Sequence, residues 1–223
     1  MTAEASTHAR PRARKKRGRA IAALVVVMVA IAIGWDTHVV EQGAQLEAQS
    51  GQFSAERYGQ EQFPAIRQSV ESRAVEAPEL ARALADDASA ASERYGVASG
   101  IGPIFPVHVT GTVGEGKSGI YTIDIPDMPE GTRVRVQTGP AINGTTLRDA
   151  TGEISFGQFT NQIEYQNAGA AINNAMKAEV LEGMDTANLS GKTVEVTGVF
   201  QMINPKNWLI TPVALEVQGG SAS

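Results

Sequence analysis

The string Gly111-Thr112-Val113-Gly114-Glu115-Gly116-Lys117-Ser118 fits the phosphate-loop pattern G-x-x-x-x-G-K-[ST] letter for letter. Such a loop holds phosphate because its glycines open backbone N–H groups at the start of a helix. The residues that follow, Gly119-Ile120-Tyr121-Thr122-Ile123-Asp124-Ile125, alternate like a strand. A glycine-rich β-hairpin therefore accounts for the stretch better than a nucleotide site. The three histidines, His8, His38 and His108, are scattered, and none has a second ligand at helical spacing. With no cysteine in the sequence, disulfides, thiolate nucleophiles and thiolate metal sites are excluded. Asp86-Asp87 reads as the solvated face of a helix, and no nucleophile elbow is present. The expectation is a protein that is not an enzyme, with no catalytic residue, no metal and no cofactor.

The densest polar stretch runs from Gly139 to Asn167. Its candidate ligand or partner patch is Asn143, Arg148, Asp149, Gln158, Asn161, Gln162 and Tyr165. Amides donate and accept, and Tyr165 adds a flat face, which are the group types that recognise sugars or peptide backbones. The competing reading is structural. In it, Asn161 and Tyr165 cap and line a helix, and the amides tie a strand end to it.

The elements that must position these residues follow from the periodicity. Residues 53–96 read as a small helical subdomain. Ser54 is a helix N-cap, and Pro64 sits as in a first helical turn, with Ile66 and Val70 after it. Pro78 marks a second start, with a stripe of Leu80, Leu84, Ala88, Ala91 and Tyr95. Gly96 to Pro103 breaks the pattern, and the period then changes to two. Strands are expected around Val107–Gly111, Ile120–Ile125 and Arg133–Val136, separated by turns at Gly114-Glu115-Gly116 and Pro126 to Gly131. One helix interrupts them, at about 161–182, opened by an Asn161/Glu164 capping box. Two more strands follow, through Val194–Phe200 and Val213–Val217. The fold class expected is α+β: a small helical subdomain plus an OB-like Greek-key β-barrel over 103–218, with one inserted helix, behind an N-terminal transmembrane helix. Residues 219–223 read as a disordered tail.

The N-terminus carries the topology. Residues 1–19 hold seven Lys or Arg and one Glu, and an uncharged apolar run begins at Ala20. Positive charge on one flank keeps that flank cytoplasmic. Ala20 to Trp35 reads as a transmembrane or signal-anchor helix. At 1.5 Å per residue it reaches about 24 Å against a core of roughly 30 Å, so a cleaved signal peptide is the competing reading. Residues 36–52 read as a spacer. The chain as a whole carries −5, and the part beyond residue 19 about −11. That acidic remainder repels phosphate backbones, so no nucleic-acid partner is expected. The location implied is the cell membrane, single-pass, with the C-terminal domain extracytoplasmic.

The residues of the polar stretch also carry a resemblance. Thr138-Gly139-Pro140-Ala141-Ile142-Asn143-Gly144-Thr145-Thr146-Leu147-Arg148-Asp149-Ala150, then Phe159-Thr160-Asn161-Gln162-Ile163-Glu164-Tyr165, resembles the core motif of domain of unknown function 2291, a bacterial family of predicted periplasmic lipoproteins. The ending Asn204-Pro205-Lys206-Asn207-Trp208-Leu209-Ile210-Thr211-Pro212-Val213 is similar to its last strands, and the resemblance spans roughly 36–218. It implies a helical subdomain beside a barrel-like one, and genes placed among sugar ABC-transport components. The family's lipobox cysteine has no counterpart here, which favours the helix anchor. The function this implies is a membrane-tethered accessory or binding protein of a carbohydrate ABC-transport system. An envelope structural or assembly factor that binds protein partners is the alternative.

Overall fold

The structure is a computed structural model that describes residues 53–218. The expected anchor helix of 20–35, basic tail 1–19, spacer 36–52 and tail 219–223 lie outside the described residues. No helix among the described residues is long and apolar enough to cross a membrane.

The first helix, α1, spans Ala55–Arg73. Ser54 caps it by accepting from the Arg57 N–H at 3.4 Å. Pro64 is not at its first turn but in its interior. The bond that proline deletes would have gone to Gln60, an exposed residue whose carbonyl can turn to water. Phe63, Ile66 and Val70 form its buried side. A two-residue strand, β1 (Val75–Glu76), leads into α2 (Ala77–Asp86), with Pro78 at its start. The acidic pair does not share one helix. Asp86 ends α2, and Asp87 accepts from Ser89 and Ala90 N–H at 2.9 and 3.0 Å to cap α3 (Ala88–Tyr95).

The barrel strands are β2 (Ile104–Lys117), β3 (Ile120–Asp124), β4 (Arg133–Gln137), β5 (Thr193–Gln201) and β6 (Asn207–Gln218). Their order is β2-β3-β4-β6-β5, and β5 pairs back onto β2 to close the ring. All pairings in the ring are antiparallel except β4 with β6. β1 adds a short parallel pairing on β2. Inside, Phe105, Phe200 and Trp208 are fully buried, with Phe200 stacked on Trp208 at 4.3 Å between centroids. Trp208 still satisfies its indole N–H, on the Pro205 carbonyl at 2.8 Å.

Gly114-Glu115-Gly116 is not a turn. β2 runs through it with a register shift between Val113 and Gly116. The chain reverses at Ser118 and Gly119 instead, with φ of 54° and 74°. That is the signature of a two-residue hairpin loop with both φ positive. Lys117 thus ends a strand, and no helix follows the phosphate-loop-like string.

Between β4 and β5 lie a short helix α4 (Thr146–Asp149), a 3-10 turn (Phe156–Gln158) and the long helix α5 (Gln162–Met176). α5 continues as a π-helical turn over Lys177–Leu181. The capping box is present but offset by one residue. Asn161 Oδ1 accepts from Glu164 N–H at 2.9 Å, and Glu164 Oε2 accepts from Thr160 N–H at 2.9 Å.

The helices before Gly96 do not form a body of their own. Residues from Phe53 onward make one compact unit. α1 lies on α5 and on the barrel, pinned by Arg67, whose Nε donates to the Val213 carbonyl at 2.9 Å and whose Nη1 pairs with Glu179 at 3.6 Å. At the crossing, Gly59 lets α1 approach the Ala171 backbone more closely than any side chain permits.

Candidate functional site

The polar stretch does two separate things. Arg148, Asp149 and Tyr165 come together. Arg148 is buried, and its Nε and Nη2 hold the Asp149 carboxylate at 2.7 and 3.0 Å. Its guanidinium lies 3.6 Å from the Tyr165 ring centroid, and its Nη1 donates to the Tyr165 carbonyl at 3.3 Å. Thr145 completes the unit by donating to Asp149 at 2.9 Å. These groups satisfy one another and lock α4 onto α5.

The other patch residues are mostly structural. Asn161 caps α5. Asn143 uses its backbone, donating to Gln137 Oε1 at 3.1 Å and accepting from Gln137 Nε2 at 3.3 Å, so it belongs to the end of β4. Gln158 donates to the Glu153 carbonyl at 2.9 Å and shapes the segment before α5. Gln162 is exposed in the first turn of α5. His108 is a strand residue held by Thr197 at 2.9 Å and Glu195 at 3.4 Å. Among the described residues no group of His, Cys, Asp or Glu could hold a metal ion.

A concave feature lies beside this patch. Segment 150–159 runs back along α1, fastened at one end by Arg73, whose Nη2 donates to the Ala150 carbonyl at 2.9 Å. At the other end Phe159 packs edge-on against Phe53 and Tyr58, with centroids 5.5 and 5.4 Å away. Phe159 and Phe156 also meet Tyr165, at 5.3 and 5.8 Å, and Phe156 is 49% exposed. Between these ends is a cleft of about 310 Å³ lined by Gln62, Gln68, Ser69, Ser72, Thr151 and Glu153 over Ile66 and Ile154. The side-chain amides of Gln62 and Gln68 and the Glu153 carboxylate make no hydrogen bond to other described residues, so they are free for a ligand. Tyr58, one helical turn before Gln62, has its pKa raised, first by burial and then by Tyr165, against a lowering by Arg148. It therefore stays a neutral donor.

Sequence reasoning missed Gln62, Gln68, Ser69 and Ser72. A signal was available. Gln62, Ala65, Ser69 and Ser72 recur at helical spacing as an uncharged stripe on a helix that otherwise carries Glu56, Arg57, Glu61, Arg67, Glu71 and Arg73.

A closed five-stranded barrel with its helix between the third and fourth ring strands, overlaid by an N-terminal helix, defines the class: an OB-fold protein with an added helical layer. It is similar in fold to the crystal structure of an OB-fold protein from Thermotoga maritima, with TM-score 0.60 and 18% identity over 74% of this chain and 99% of that one. The chain belongs to the family described as predicted periplasmic lipoproteins, domain of unknown function 2291, whose model matches residues 23–216. That family membership assigns it to the extracytoplasmic side. No curated protein matches the chain.

Proposed function

We propose that this protein is a membrane-tethered, extracytoplasmic, non-enzymatic binding or accessory component that holds a carbohydrate for an ABC-type uptake system. The observation that carries the reading is the cleft between α1 and segment 150–159. Its volume of about 310 Å³ sits at the low end of the roughly 300–1,000 Å³ typical of small-molecule sites. Its rim is amide, hydroxyl and carboxylate over a floor of Ala65, Ile66 and Ile154, which suits a polyol with C–H faces better than a lipid. Ala20 to Trp35 is the tether in this reading.

The test is thermal unfolding of residues 53–223 against a panel of mono- and disaccharides. A ligand that binds only the folded state raises its stability by mass action. A stabilising sugar whose effect disappears in Gln62→Ala supports the reading, and silence across the panel sinks it. The tether is tested separately by mass spectrometry of the mature N-terminus. A protein that starts near residue 33 has no anchor helix.

A specific observation favours the alternative, an envelope assembly factor with protein partners. Ile101 and Ile203 are 78% and 77% exposed. The bond from Met202 N–H to the Pro103 carbonyl, at 2.9 Å, brings their two loops together into an apolar tip. Crosslinking in membranes separates the two: a transporter subunit supports the first, an envelope scaffold the second.

A further inference from the structure

Among the described residues one buried side-chain polar atom lacks a hydrogen-bond partner, Nε of Arg135. Buried polar groups are almost always paired, because an unpaired one forfeits its hydration. Arg135 lies in the middle of β4 and alternates with buried Val134 and Val136, so it points away from the barrel core. The register sets Thr122 of β3 on one side of it and Leu209 of β6 on the other.

Nε and Nη2 form one edge of a guanidinium, two parallel donors that match the two oxygens of a carboxylate. In Arg135 that edge meets a single amide oxygen. Nη2 donates to Asn207 Oδ1 at 3.0 Å, and Nε is left over. Asn207 is exposed, so its side chain is free to swing away. Arg133 is on the same side of β4, and its N–H donates to the Lys206 carbonyl at 2.9 Å. None of Arg133, Arg135 and Lys206 forms a salt bridge among the described residues. Asp124 ends β3 on this face and pairs with none of them. Arg133 and Arg135 thus stand on one face without an ion pair among the described residues, in a protein that is acidic overall.

We propose that the outer face of β3, β4 and β6 binds a uronic acid. In this site the sugar carboxylate displaces Asn207 and takes both Nε and Nη2 of Arg135. The Thr122 hydroxyl, whose proton goes to the Glu115 carbonyl at 3.2 Å, lies alongside as an acceptor for a ring hydroxyl, and half-buried Ile120 and Leu209 flank the arginine as C–H surface. No aromatic side chain stands on this face to stack a base, which disfavours single-stranded nucleic acid. The site is separate from the cleft beside α1 and does not depend on it.

The Nε–H resonance of Arg135, identified by its loss in Arg135→Lys, reports the event directly in ¹H–¹⁵N spectra of residues 53–223. Glucuronate should shift that resonance, and glucose should not. Arg135→Lys should weaken glucuronate binding about tenfold or more, because lysine cannot bond both oxygens in one plane. Asn207→Ala, at an exposed position, should tighten it by removing the competitor. This variant keeps the test open should Arg135→Lys fail to fold. No shift with glucuronate, an equal shift with glucose, equal affinity for acetate, or weaker binding in Asn207→Ala would each overturn the proposal.

Discussion

Gly59→Ala reads out whether α1 is seated on α5, on which the cleft depends. In a helix free of neighbours the change stabilises by roughly 1 kcal/mol, since alanine loses less backbone entropy than glycine. Here the added Cβ would lie within 2.5 Å of the Ala171 carbonyl carbon and 3.0 Å from the Ala171 Cβ. The obstacle is helix backbone, which cannot rotate aside, so α1 must lift. Overpacking of this kind costs about 1–3 kcal/mol. Set against the propensity gain, the net expectation is a loss of up to about 2 kcal/mol. For a domain of this size that lowers Tm by up to about 8 °C. Thermal unfolding of residues 53–223 followed by circular dichroism measures it. Lifting α1 also widens the cleft, so sugar-induced stabilisation should shrink in the same variant. A Tm that rises by about 2–4 °C, the gain of an unobstructed alanine, would refute the seating of α1 and the cleft with it.

Arg148→Ala should cost about 2–4 kcal/mol, because it strands the partly buried Asp149 and removes the stack on Tyr165. Arg148→Lys should recover little of that, having no planar fork, and chemical denaturation measures both. Trp208→Ala should cost about 3–5 kcal/mol by opening a cavity against Phe200, read from the urea midpoint at unchanged slope. Tyr58 supplies a pH prediction. Burial raises its folded pKa above the ordinary tyrosine value of 10.0, so its contribution is fully present below that pH. Above it, the unfolded chain releases the proton first, and stability falls as pH rises toward the folded pKa. Tyr58→Phe should flatten that alkaline decline in denaturation midpoints, and an unchanged decline would place the effect elsewhere.

Much of the barrel was legible because its signals are local. The period-two runs at Ile120–Asp124 and Thr193–Gln201 became strands, and Asn161 and Ser54 became caps with the bonds expected of them. Errors arose where a local signal was outweighed. Pro64 reads as a helix start, yet the buried side of Phe63, Ile66 and Val70 carries the helix through it. Gly114-Glu115-Gly116 reads as a turn, yet the ladder to β3 resumes at Gly116 and moves the reversal to Ser118-Gly119. The separate helical subdomain rested on the Gly96–Pro103 break and the change of period beyond it. Long-range contacts such as Arg67 with Val213 erase it, and no local pattern encodes them.

The candidate patch illustrates the same limit at the level of function. Its residue types can donate and accept, but partners decide what a polar group does. Arg148 and Asp149 are consumed by each other, and Asn161 by its helix. The groups left free, on Gln62, Gln68 and Glu153, face a cleft that exists only once α1 and segment 150–159 lie side by side.

The central claim is that this cleft takes a carbohydrate, and calorimetric titration of residues 53–223 tests it most directly. The sugar that stabilises the domain most should be titrated into the wild type and into Gln62→Ala. Saturable binding in the wild type, weakened about tenfold or more where the Gln62 amide is gone, is the predicted result. Binding of equal strength in Gln62→Ala, or no binding of any sugar, would contradict it.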